Sequence, residues 1–93
     1  MTETSDTPSP GQHLASISHA GRFWDVYLEF EDDPRRSRAY RALLAFSPAD
    51  RNEGEDLLRT IAIIVEPSYE EAVYRARQLE EHQLQAFLRS LLP

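Results

Sequence analysis

Arg22-Phe23-Trp24-Asp25-Val26-Tyr27-Leu28-Glu29-Phe30-Glu31 is the stretch that decides the fold. Trp24, Val26, Leu28 and Phe30 fall on one side of an extended chain; Asp25, Glu29 and Glu31 fall on the other. A period of two, carried by aromatic and branched residues, predicts a strand with one face buried. Upstream, a shorter strand is expected over about 14–19. Ala20-Gly21 lies between the two as a tight hairpin turn, since Gly21 accepts positive φ at no steric cost.

Downstream, Asp32-Asp33-Pro34-Arg35 reads as a turn, because Pro34 cannot donate to a ladder and aspartates favour turn geometry. A third strand is expected over about 38–46, with Tyr40, Ala42, Leu44 and Phe46 on one face. Residues 47–55 hold Pro, Asp, Asn and Gly and read as an exposed loop. A fourth strand is expected over about 56–66. Its centre, Ile61-Ala62-Ile63-Ile64-Val65, is apolar at every position, which predicts a strand covered on both sides.

Pro67 ends that strand, and Ser68-Tyr69-Glu70-Glu71 has the form of a capping box. One long helix is expected from Tyr69 to about Leu91. Tyr69, Ala72, Val73, Ala76, Leu79, Leu84, Phe87, Leu88 and Leu91 form its apolar stripe, interrupted at Glu80 and Gln83. At ~1.5 Å per residue it would be about 35 Å long and would overhang the sheet. Short connections between successive strands imply an antiparallel meander. The expected architecture is α+β: a four-stranded antiparallel sheet with one C-terminal helix on one face, a two-layer sandwich.

The chain has 93 residues, enough for one domain. Residues 1–12 are polar, with two prolines and a glycine, and read as a disordered tail before a single domain over 13–93. Sixteen acidic residues against ten basic ones give a net charge of −6, which argues against a generally basic nucleic-acid binder. No apolar run approaches the ~20 residues of a membrane-spanning helix. There is no cysteine, so disulfides and thiolate chemistry are excluded. The polar, acidic start lacks the features of a secretory signal, and a cytoplasmic location is the expectation.

A single helix cannot cover both faces of a sheet. Phe23, Tyr27 and Leu43 lie opposite the buried rows, and Phe87, Leu88 and Leu91 crowd the end of the helix. Monomers seldom keep large exposed apolar patches. These six residues are the candidate protein interface, with a second copy of the chain or another protein as the partner. Arg35, Arg36, Arg38 and Arg41, with Tyr40 among them, are the alternative: arginines beside an aromatic can hold phosphates and stack a base. Against it, Glu29, Glu31, Asp32 and Asp33 would face those arginines across the hairpin. His19 and Asp25 could approach as an acid–base pair, but no third group or nucleophile motif accompanies them. His82 falls on the polar side of the helix, and the glutamate pairs at 70–71 and 80–81 suit a helix start and surface pairing. No histidine pair has metal-ligand spacing, and no glycine-rich loop could cradle a phosphate. The expectation is a non-enzymatic interaction module without cofactor or metal.

Overall fold

The computed structural model describes residues 11–31, 39–52 and 54–93. Three long strands come first: β1 (Gln12–His19), β2 (Arg22–Phe30) and β3 (Tyr40–Pro48). Two short strands follow, β4 (Leu58–Arg59) and β5 (Ile64–Glu66), then α1 (Tyr69–Arg77) and α2 (Glu81–Leu91). All pairings are antiparallel, in the order β1-β2-β3, with β4 and β5 both on the far side of β3. The α+β sandwich read from the sequence is the fold observed.

The first hairpin turns on two residues, with His19 opposite Arg22. Ala20 and Gly21 both have positive φ, 53° and 79°. That is the backbone hand that matches strand twist in a two-residue turn. Gly11, just before β1, has φ 100°, and a Cβ there would lie 2.4 Å from the Leu28 carbonyl oxygen. Glycine is required by both angle and space. β2 and β3 stay in one register from Trp24 opposite Pro48 to Phe30 opposite Ala42.

The even residues of β2 and β3 build the core. Val26, Leu28, Leu44 and Phe46 are essentially inaccessible, and Ile17, Trp24, Ala42 and Ile64 join them. Ala72 and Ala76 of α1 and Leu84 and Leu88 of α2 close the layer from above. Alanine at the contact lets the α1 backbone come close to the sheet. Ser68 caps α1 by accepting from the Glu71 amide at 3.1 Å, as its sequence suggests.

Two expectations are corrected. The fourth strand is not continuous. Phe46 pairs with Leu58 and Ala45 with Arg59, but Ala42 pairs with Ile64 and not with Ala62. The chain thus carries two extra residues over 60–63, and the ladder survives around them. Thr60 donates its amide to the Leu44 carbonyl, its hydroxyl accepts from the Leu44 amide at 3.1 Å, and Ile63 donates to Ala42. Nor is this strand covered on both sides, since Ile61 is 83% exposed and Val65 50%. It is the edge of the sheet, and its bulge turns an apolar side chain out.

The long helix is two helices. After Arg77 the amides of Gln78 and Leu79 bond back to Arg75 and Ala76, tightening the last turn, and Glu80 is extended (φ −91°, ψ 163°). Gln83 accepts from the Glu80 amide at 2.8 Å, starting α2 afresh. The break removes the overhang a straight helix would have. It lets α1 lie along β5 and β3 while α2 reaches β1 and β4.

Candidate interaction surface

The odd residues of β2 and β3 face away from both helices. Across this open face, β1, β2 and β3 contribute rows: His13, Tyr27 and Ala45; Ser16, Asp25 and Ser47; Ser18 and Phe23. Arg59 continues the first of these rows on β4. Arg41 and Val65 lie together toward the other end, with Leu43 two residues along β3 from Arg41.

This face is more polar than an unpaired sheet face needs to be. Arg59 straddles Ala45 to reach Glu29, Nε to carboxylate at 2.8 Å, so Ala45 is fully covered although no helix lies over it. That bond to Glu29 holds the Arg59 pKa above its ordinary value. Arg41 pairs with Glu31 at 3.0 Å. Asp25 takes two donors on one oxygen, Ser16 Oγ at 2.8 Å and His13 Nε2 at 3.1 Å, and the His13 ring stands edge-on to Tyr27. Serine, histidine and aspartate therefore meet, but Ser16 bonds the carboxylate and not the imidazole. The three therefore do not stand in the serine–histidine–carboxylate order of a nucleophile triad, in which the imidazole lies between the other two.

A cleft of about 790 Å³ opens between this face and the loop after β3, with Asp25, Tyr27, Ser47, Arg51, Asp56 and Arg59 on its walls. The loop is tied down by Arg22, which donates to Asp50 at 2.8 Å and to Glu55 at 3.0 Å and stacks over Trp24. The bonds to Glu55 and Asp50 raise the Arg22 pKa. Its guanidinium in turn lowers that of Asp50. Glu55 is lowered first by the Asn52 amide and then by Arg22.

The candidate interface residues separate into two groups. Phe23, Tyr27 and Leu43 share the open face, with Phe23 67% exposed and the other two half-buried. Phe87 and Leu91 are half-buried against the core on the helix side, and one partner surface cannot span both groups. Leu88 is corrected outright: it has no exposed surface and packs in the core between helix and sheet, so it cannot touch a partner.

The arginine alternative also divides. Tyr40 and Arg41 are neighbours in an extended strand and so lie on opposite faces, and Arg41 is matched by Glu31. Arg35, Arg36 and Arg38 lie outside the described residues. The acid–base pair is His13 with Asp25 and not His19, because the register sets His13 beside Tyr27 and sends His19 to the turn. Ile61 and Val65 are the exposed apolar residues that periodicity missed, since a run of five apolar residues has no period to show which of them faces out.

Among the described residues there is no metal-holding group of histidine and carboxylates, and no helix long and apolar enough to cross a membrane. The fold and surface define a two-layer α+β domain with one uncovered sheet face. Comparison with known protein families, curated proteins and solved structures finds no match to this chain.

Proposed function

We propose that this chain is a non-enzymatic interaction domain of the cytoplasm that assembles with a second copy of itself. The observation that carries this reading is the one-sided cover of the sheet. Both helices lie on one face, and the other is left to solvent with Phe23 exposed at one end and Leu43 with Val65 at the other. Aromatic and branched residues standing out of a polar surround are the usual anchors of protein contacts. The ion pairs on that face fix its side chains in place, which lowers the ordering cost of binding. A domain this small buries about 60–65% of its unfolded surface, so association adds the cover that it lacks.

Light scattering at low and high salt, over a wide concentration range, tests the proposal. A mass near twice 10.7 kDa that persists in high salt is the expected result. One chain's mass at every concentration overturns it.

A further inference from the structure

The geometry points to the edge of β1, which no other described strand pairs, as the seam between two copies, each β1 pairing antiparallel with the other's β1 to make one continuous sheet. This rests on the reading of the chain as a self-associating domain and places the contact at a sheet edge, beside the open face and not upon it.

The two edges of the sheet differ in a way that singles β1 out. An edge strand presents unpaired amides and carbonyls, and folded proteins blunt such edges with charges, prolines, bulges or short strands. The far edge is blunted. β4 and β5 have two and three residues, the bulge at 60–63 parts them, and Arg59 and Glu66 sit on them. β1 runs eight residues, Gln12 to His19, and has no proline. Its single irregularity lies between His13 and Ala15, leaving the stretch 15–19 in even register.

The occupant follows from charge. β1 (QHLASISH) is the one element of the described structure that contains no aspartate, glutamate or arginine. In a chain of net charge −6, most pairings of two copies bring carboxylates together. β1 brings no carboxylate of its own to a β1–β1 seam, and the nearest one, Asp25, is already held by Ser16 Oγ and His13 Nε2.

The backbone fixes the register. Closing the hairpin at His19 and Arg22 makes His19 and Ile17 the residues that exchange bonds with β2, and turns the amides and carbonyls of Ser16 and Ser18 outward. The Ser18 carbonyl is accordingly capped from outside by Gln85 Nε2 at 2.8 Å. Within the even stretch 15–19 that leaves Ser16 as the outward residue with both groups available, and it is the centre of the seam: its N–H and C=O meet those of Ser16 in the other copy. The two-fold axis then stands perpendicular to the sheet, so both α2 helices, which pack on β1, lie on the same side of the joined sheet.

Opposed residues of such a pair have Cα atoms about 5.5 Å apart. That is within reach of a disulfide, and the natural chain has no cysteine to confuse the result. Ser16→Cys is therefore oxidised mildly and run without reductant, beside Ile61→Cys at the opposite, exposed edge. Ser16→Pro is followed by light scattering and circular dichroism. Proline there deletes an outward N–H and no bond of the internal ladder.

The seam predicts a covalent dimer from Ser16→Cys and not from Ile61→Cys, and a folded monomer from Ser16→Pro. If the natural chain is a dimer but Ser16→Cys stays uncrosslinked, or crosslinks no better than Ile61→Cys, the β1 seam is wrong and self-association stands. A Ser16→Pro variant that folds and remains dimeric likewise overturns the seam, and if it does not fold the cysteine pair decides. If the natural chain is a monomer throughout, the reading of the domain itself fails and the seam with it, even if β1 then accepts a strand from some other protein.

Discussion

β2 and β3 lie side by side over seven matched pairs without a slip, whereas the chain on the other side of β3 slips by two residues within a span of nine. The difference is one of constraint. The even residues from Trp24 to Phe30 and from Ala42 to Phe46 are needed under the helices, and a shift of one position would turn that whole set to solvent. At 60–63 only one flank has a partner strand. The chain can shed two residues there at the cost of a locally rearranged ladder, and Thr60 makes that cost small by offering its hydroxyl to the Leu44 amide. Regularity in this fold follows the number of neighbours that would have to move.

The comparison is tested most severely by truncating apolar residues on both sides. Phe46→Ala, with no exposed surface, is expected to lose about 3–5 kcal/mol in urea unfolding, while Ile61→Ala, equally apolar in sequence, stays within about 0.5 kcal/mol. Comparable losses would mean that the bulge packs as core. Next in size is Thr60→Val, which keeps the shape and removes the acceptor. Leaving the Leu44 amide unpaired is expected to cost about 1–2 kcal/mol, read as a lower urea midpoint with an unchanged slope.

On the regular side, one residue of the tight hairpin is strained. Ala20 holds φ 53°, which costs an L-residue with a Cβ about 1–2 kcal/mol. Ala20→Asn is expected to recover about 0.5–1 kcal/mol and raise Tm by a few degrees, and a fall in Tm would show that the turn takes another form.

The smallest effect is electrostatic. Asp50 and Glu55 titrate below their ordinary values of 3.8 and 4.5, so their contribution to stability is complete above those values. It is lost as pH falls through the lowered ones. Both groups lie near the surface, where pairs of this kind contribute little. Between pH 5 and pH 3 the natural chain should therefore lose slightly more stability than Asp50→Asn, with chemical denaturation as the readout.

Much of this arrangement can be read from particular residues. Trp24, Val26, Leu28 and Phe30 alternate because one face of β2 is dry, so element, face and register all follow from them. Ala20-Gly21 declares its hairpin, and Ser68 with Glu71 declares the start of α1. The pattern fails where apolar residues are continuous, because Ile61 to Val65 contains no polar residue to show which side chain turns outward. It fails again at the helix break, where the apolar stripe persists through Leu79 and only Glu80 with Gln83 marks a second start. The open face was legible as uncovered, but not as bound together by ion pairs. Those depend on which odd residues stand opposite each other, as Glu29 and Arg59 do diagonally across Ala45, and thirty positions of chain separate them.

Gln85 reaching the Ser18 carbonyl joins parts of the chain 67 residues apart, and Leu84 and Leu88 pack under the same helix against a core that includes Ile17. During synthesis the strands emerge first and their roof last. The hairpin of β1 and β2 can close within microseconds of leaving the ribosome. The apolar side of β1 must then wait, uncovered, until α2 has been translated. A nascent or C-terminally clipped chain is therefore the form of this protein most in need of a chaperone.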